Sequence, residues 1–265
     1  MHASQDRCYS YLGIEVDRPI RTLKQNRPMA AGDLLNIDDN PKTSKGIKVN
    51  VRTAIMYLAP SDVSGRNVCK YASPGCREGC LFAAGRGQMQ SIKDARIRRT
   101  NRFFEERPAF LLQLVFEIAR HEIESKEFDM ICAVRLNGTA DIPWERVAVI
   151  RNGIRYQNIM AAFPNVQFYD YTKYPVAKRP NLPTNYHLTF SLSESNDNDA
   201  REWLANGGNV AAVFADDLPE TFFGYRVINA DKDDTRFLDD QNVIAGLKAK
   251  GPAKKDTSGF VRRAA

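Results

Sequence analysis

Histidine is scarce here, with three in 265 residues, and no two of them are spaced as a paired metal motif. Any catalytic metal would therefore have to rest on thiols or carboxylates. Long apolar runs are missing as well. The most apolar window, residues 109–119, is broken by Gln113 and Glu117 and is far shorter than the roughly 20 residues that cross a bilayer. Nor does an apolar run follow the N-terminal Met1, so a soluble cytoplasmic protein without a membrane partner is expected. No repeat or low-complexity tract interrupts the chain. Cysteine is also sparse. Five of them, an odd number, make a poor disulfide framework, and in a reducing compartment they are better explained by metal binding or burial.

What is present begins with the placement of those cysteines. Cys69, Cys76 and Cys80 fall within twelve residues, spaced C-x6-C-x3-C, directly after an apolar strand candidate at 53–59. Ser64, Gly65, Ser73, Pro74, Gly75 and Gly79 keep this stretch in turns, and such a loop can wrap an ion or cluster. Thiolates are soft ligands suited to zinc or iron–sulfur centres. A trio needs a fourth ligand from elsewhere or leaves one coordination position open. The bland alternative is three ordinary thiols in a turn-rich loop.

Hydrophobic residues make up 43% of the chain, ample for a buried core. The net charge is +6, and +5 of it lies in residues 248–265, where six lysines and arginines face only Asp256. A second basic cluster, Arg86, Lys93, Arg96, Arg98, Arg99 and Arg102, follows the cysteine loop. Segments 86–102 and 248–263 are thus candidate contacts for a nucleic acid or nucleotide, weighed against a solvated helix face and a frayed tail.

Helices are expected at 88–105 and 108–124. In the second, Phe110, Leu111, Leu114, Val115, Ile118 and Ile123 form one 3.6-residue stripe behind Pro108. Seven β-like runs follow from the pattern, at 53–59, 130–136, 166–170, 186–192, 209–214, 225–229 and 243–247, with helical spacers at 144–162 and 197–205. Strands alternating with helices argue for a mostly parallel α/β sheet. In the run at 186–193, His187, Thr189, Ser191 and Ser193 alternate with Tyr186, Leu188, Phe190 and Leu192. A polar row of that kind belongs on the inside of a barrel, so the expected fold is α/β, a partial or distorted (β/α) barrel of about seven strands with a polar interior. By the same alternation Arg135 and Asn137 oppose Cys132, Val134 and Leu136, which makes Cys132 a packing residue. The expected organisation is an N-terminal arm or cap at 1–50, the barrel-like domain at 51–250 and a basic tail at 251–265.

Parallel sheets carry their chemistry beyond the carboxyl ends of their strands, where polar residues collect in this chain. The pocket candidates are Asn137, Asp141, Asp170, Lys173 and Glu194 as catalytic groups and Arg135, Asn137, Ser191 and Ser193 as cofactor contacts, with Cys69, Cys76 and Cys80 as metal ligands. Asp231, Asp233 and Asp234 lack the glycine and distal glutamate of a calcium loop, and ion pairing with Arg236 or Lys232 is the simpler expectation.

The segments Asn40-Pro41-Lys42-Thr43, Asn67-Val68-Cys69, Gly75-Cys76, Ala84-Gly85-Arg86-Gly87, Leu136-Asn137-Gly138-Thr139, Phe168-Tyr169-Asp170-Tyr171-Thr172-Lys173 and Lys248-Ala249-Lys250-Gly251 resemble the phage gene product 88 family from about residue 36 onward. That resemblance implies a phage or prophage protein in a bacterial host and leaves its function open. A more distant likeness is to radical S-adenosylmethionine enzymes, where a three-cysteine loop after the first strand of a partial barrel holds a [4Fe-4S] cluster that binds the cofactor. Ligand count and position match. The C-x3-C-x2-C spacing does not, and Asn137-Gly138-Thr139-Ala140-Asp141 stands where a glycine-glycine-glutamate motif would be.

The leading expectation is therefore an iron–sulfur enzyme with S-adenosylmethionine as candidate ligand, acting on a nucleic acid or nucleotide. The second is a zinc-stabilised nucleic-acid-binding protein, its fourth ligand His121, His187 or Cys8. The third is a DNA nickase or replication initiator using Tyr169, Tyr171 or Tyr174 as nucleophile.

Overall fold

All seven runs of β-branched and aromatic residues become strands, because each alternates side chains that suit a half-buried pleated surface. The computed structural model describes residues 9–11, 14–16, 32–37 and 41–263. Its elements open with β1 (Tyr9–Tyr11), β2 (Ile14–Val16), β3 (Leu35–Ile37), α1 (Pro41–Gly46), β4 (Val51–Met56), α2 (Pro74–Glu78), α3 (Gln90–Glu105) and α4 (Arg107–Glu127). There follow β5 (Ile131–Arg135), β6 (Val149–Arg151), β7 (Ile154–Tyr156), α5 (Ile159–Ala162), β8 (Gln167–Thr172), β9 (Tyr186–Ser191) and α6 (Asp197–Ala205). The chain ends with β10 (Asn209–Phe214), β11 (Thr221–Phe222), β12 (Tyr225–Asn229), β13 (Ile244–Lys248) and β14 (Val261–Arg262).

One ten-stranded sheet organises the chain, in the order β11-β12-β13-β10-β9-β8-β5-β4-β3, with β14 paired to β10. From β4 through β10 the parallel neighbours follow chain order, each reached through a crossover. The order then breaks, because β13 inserts between β10 and β12. Antiparallel strands β3 and β11 finish the two edges, and among the described residues no ladder joins them. The sheet is thus mixed and mostly parallel, and among the described residues it does not close into a barrel. Strand β10 splays: its first half pairs with β9 while Val213 and Phe214 pair with Val261 and Arg262 of β14.

The two faces differ sharply. On the first, Ala54, Met56, Cys132, Val134, Leu136, Phe168, Leu188, Phe190, Val210 and Ala212 pack with α3, α4 and α6 in one large apolar cluster. Each fully buried Phe there contributes about 1.5–3 kcal/mol. The stripe of α4 is part of it, with Phe110, Leu114 and Ile118 fully buried. Glu117 breaks that stripe for a reason. Its carboxylate accepts from Leu34 N (3.0 Å), Leu35 N (2.8 Å) and Gln113 Nε2 (2.8 Å), tying the segment that leads into β3 to the helix.

The second face carries Thr53, Arg135, Tyr169, Tyr171, His187, Thr189 and Ser191, as the alternation predicted. It is covered by the segment after β12, where Phe237 packs on the Tyr169 ring at 5.2 Å between centroids. Arg135 is 2% exposed, pairs with Asp234, and lies 5.0 Å from the Tyr171 ring centroid.

Several expectations need correction. The spacer at 144–162 is mostly a hairpin: Asn152 (φ 53°) and Gly153 (φ 75°) make a two-residue turn between β6 and β7, with a 3-10 turn at Trp144–Arg146 before it and only α5 at its end α-helical. The Asn-Gly step carries that turn, because both positions need positive φ. Asn196 holds the N-cap position of α6. The C-terminal stretch is not frayed among its described residues, since β14 joins the sheet and Asp256 accepts from Val261 N at 3.0 Å.

Candidate thiol site at the carboxyl ends of the strands

The cysteine loop leaves β4 at its carboxyl end and is fastened on three sides. Asn67 Oδ1 accepts from Cys69 N (2.9 Å), an Asx turn that brings the Cys69 sulfur within 3.2 Å of Ser61 N. Asp141 N donates to Val68 O (2.8 Å), so the loop after β5 clamps it from a second side. Gly138 is required there, because a Cβ would stand 2.6 Å from Met56 O. Helix α2 carries Cys76 behind an N-cap: Ser73 Oγ accepts from Cys76 N (3.3 Å), and Pro74 opens the first turn. Glu194, beyond β9, fastens the third side, accepting from Ser73 Oγ (2.7 Å) and Gly75 N (2.8 Å). Those bonds hold its carboxyl below the usual range.

Cys69, Cys76 and Cys80 are all half-buried free thiols. They are close enough that a charge on Cys76 or Cys80 raises the Cys69 pKa, although burial is the larger cause and pushes it up to about 12. Burial raises Cys80 too, opposed by the positive charges of Lys173 and Arg96. As the side chains stand, among the described residues no three His, Cys, Asp or Glu are arranged to hold a metal ion. The three sulfurs share one rim, and binding a metal would require them to turn toward one another and coordinate as thiolates.

Around the rim stand several of the expected pocket residues. Lys173 N donates to Asp141 Oδ2 (2.8 Å), Lys173 Nζ donates to Ser191 Oγ (2.6 Å), and the same ammonium lies 5.7 Å from the Phe260 ring centroid. Asp141 also faces Arg179 at 3.7 Å, and burial still raises its pKa. Asp141, Lys173, Ser191 and Glu194 are thereby gathered with the thiols.

Other candidates are placed differently. Asn137 braces its own loop: Oδ1 accepts from Ile142 N (3.0 Å) and Trp144 Nε1 (3.2 Å), while Nδ2 donates to Ile142 O. Asp170 is fully buried, accepting from Asn137 N (2.8 Å) and Tyr186 Oη (3.0 Å), and burial raises its pKa to about 7. Arg135 is committed to Asp234, and Ser193 is 1% exposed with its N–H on Asn196 Oδ1.

The proposed partners of the second and third readings are also occupied. His121 is buried against Arg52 O (3.1 Å) and Ala133 O (3.2 Å), and burial lowers its pKa to about 4. His187 lies on the second face, lowered to about 4 by burial and Arg236. Cys8 lies outside the described residues. Burial raises the pKa of Tyr169, Tyr171 and Tyr174, the opposite of an activated nucleophile. The acidic cluster is spent on ion pairs, Asp233 with Arg236, Asp234 with Arg135 and Asp231 with Lys250. In the basic helix Arg96 is buried, Arg99 Nη1 donates to Tyr57 O (3.2 Å) and Arg102 Nη1 donates to Gln113 Oε1, which leaves Arg86 and Arg98 exposed.

The residues missed in the sequence are Arg96, Tyr57 and Phe260. Arg96 had a signal, because with Ile92, Thr100 and Phe103 it occupies the inward stripe of α3. Phe260 had none, since only the insertion of β14 brings it onto Gly79 and Lys173.

Fold and rim together define a mostly parallel α/β protein with a three-thiol loop at the carboxyl ends of its strands. The chain belongs to the gene product 88 family, the phage family expected from its motifs, whose sequence model matches residues 22–264. No curated protein and no solved structure matches it. Among the described residues no helix is long and apolar enough to cross a membrane.

Proposed function

We propose that Cys69, Cys76 and Cys80 carry a soft metal centre, in first place a [4Fe-4S] cluster with one iron left open for a small ligand. The observation behind this reading is that three thiols from one loop share a rim beyond the first parallel strand, at the end of a sheet whose second face carries buried polar and charged side chains. S-adenosylmethionine is the ligand that the distant likeness to radical S-adenosylmethionine enzymes implies, and it would bring radical chemistry to the site. The chain's own residues would then do the positioning. Lys173 and Asp141 anchor the loop after β8, Glu194 fixes helix α2, and Phe260 screens the rim from water.

A zinc centre closed by His121 or His187 is less well supported, because both rings are buried in other contacts. Nucleic-acid contact is no part of the proposal, since Lys248 pairs with Asp217, Lys250 with Asp231 and Arg262 with Asp197.

Anaerobic purification with iron and sulfide reconstitution tests it. A brown protein with about four iron atoms per chain is expected, and Cys76→Ser or Cys80→Ser should cut iron retention at least severalfold. A colourless protein that takes up no iron, or one holding a single zinc, would overturn it.

A further inference from the structure

Among the described residues five arginines are buried, and four have a carboxylate within 4.0 Å: Arg52 has Glu124, Arg135 has Asp234, Arg179 has Glu145, and Arg236 has Asp233 and Asp239. The fifth, Arg96, has none among them. It is 9% exposed, and its buried Nη1 makes no hydrogen bond. Its guanidinium carbon lies 5.0 Å from the Tyr57 ring centroid and 5.4 Å from that of Phe82. Two aromatic rings lie against the fork and attract it, yet they supply no countercharge. Leaving a buried cation without a countercharge is costly, and an arriving anion would relieve that cost.

Two further observations say where that anion would sit. Tyr57 directly follows β4 and Phe82 lies two residues past Cys80, so the clamp belongs to the thiol rim. Lys173, whose ammonium contacts Ser191 Oγ and no carboxylate among the described residues, lies 5.7 Å from the ring centroid of Phe260, which itself abuts Gly79 beside Cys80. We infer that Arg96 and Lys173 form an oxyanion subsite beside Cys80, which takes a carboxylate or phosphate group of the small ligand bound at the rim. A planar guanidinium fixed between rings suits such a group, because its parallel N–H donors match two oxygens. This inference rests on the rim being a ligand site and does not depend on which metal, if any, the thiols hold.

Competing alkylation of the reduced, metal-free full chain tests it. Iodoacetate and iodoacetamide both lose iodide to the attacking thiolate sulfur and differ in charge, so the ratio of their rates at one cysteine cancels its thiolate fraction. Peptide mapping reads Cys80 against Cys76 in the same sample. The iodoacetate preference at Cys80 should exceed that at Cys76 about fivefold, the scale of one partly screened charge at close range. Arg96→Gln and Lys173→Gln should each bring it toward the Cys76 value. Inorganic phosphate and acetate, added separately, should suppress it, and the one effective at lower concentration identifies the group. Equal ratios at the two cysteines, or a Cys80 preference that neither variant nor either anion changes, would overturn the subsite. Should Arg96→Gln fail to fold, Lys173→Gln and anion competition in the natural chain decide the matter. Failure of iron uptake with the preference intact would remove the cluster and leave this subsite standing.

Discussion

The two faces of the central sheet are built from the same strands and do opposite things. On the face under α3, α4 and α6, apolar side chains interdigitate, and Arg52 of β4 pairs with Glu124 of α4. On the other, Arg135 and Asp234 form a buried pair beneath Tyr169 and Tyr171, and Arg236 is held by Asp233 and Asp239. The first face is where stability comes from. The second holds buried charge, which stabilises little on net and fixes geometry at the foot of the thiol rim. Alternation along a strand lets both coexist one residue apart.

That contrast can be broken experimentally. Asp234→Ala leaves Arg135 buried and unpaired, and should destabilise the protein by about 3–5 kcal/mol in urea unfolding. Replacing both partners, Arg135→Met with Asp234→Leu, should recover most of the loss. If the double variant is no better than the single one, the second face is a stability core after all. On the apolar face Leu136→Ala should cost about 2–5 kcal/mol, and no second substitution on that strand should rescue it.

Gly75→Ala probes the rim between the faces. A Cβ there would stand 2.8 Å from Phe260 Cβ and 3.0 Å from Glu194 Oε2, besides meeting Ser258 Oγ. A loss of about 1–3 kcal/mol is expected, together with faster proteolysis of the segment after Asp256. Cleavage unchanged from the natural chain would show that β14 holds the tail without α2.

The smallest expected effect is on pH dependence. Burial raises Asp170 to about 7 in the folded state, above its unfolded value, so the folded chain binds that proton more tightly. Its contribution is fully present at pH below the unfolded value and is lost as pH rises through about 7. His121 runs the other way: lowered to about 4, it contributes above its unfolded value and is lost as pH falls toward 4. Asp170→Asn should therefore flatten the decline of Tm between pH 5 and 8, by on the order of 1 kcal/mol after relaxation, and leave the acid limb to His121. An unchanged slope above pH 5 would show that Asp170 is already compensated.

Much of this architecture was legible beforehand. The seven parallel strands, α3, α4 and α6 all follow from short-range periodicity, and so does the polar row from His187 to Ser191, because the pleat alone fixes which side each residue takes. The hairpin at β6 and β7 was equally written in Asn152-Gly153 and was hidden because each of its strands is only three residues long. The edge strand β3, with three residues, and β14, with two, are too short for any period to show.

The chain's own order thus determined the thiol loop, its place after the first parallel strand and the split into apolar and polar faces, since these depend on neighbours a few residues apart. Only the tertiary structure decided what surrounds the thiols. It turned Arg96 inward without a carboxylate, spent Asn137 on its own loop, and brought Phe260 from the far end of the chain onto α2. Those outcomes hang on which distant segments fill each space and compensate each charge, and packing settles that only once the sheet has formed.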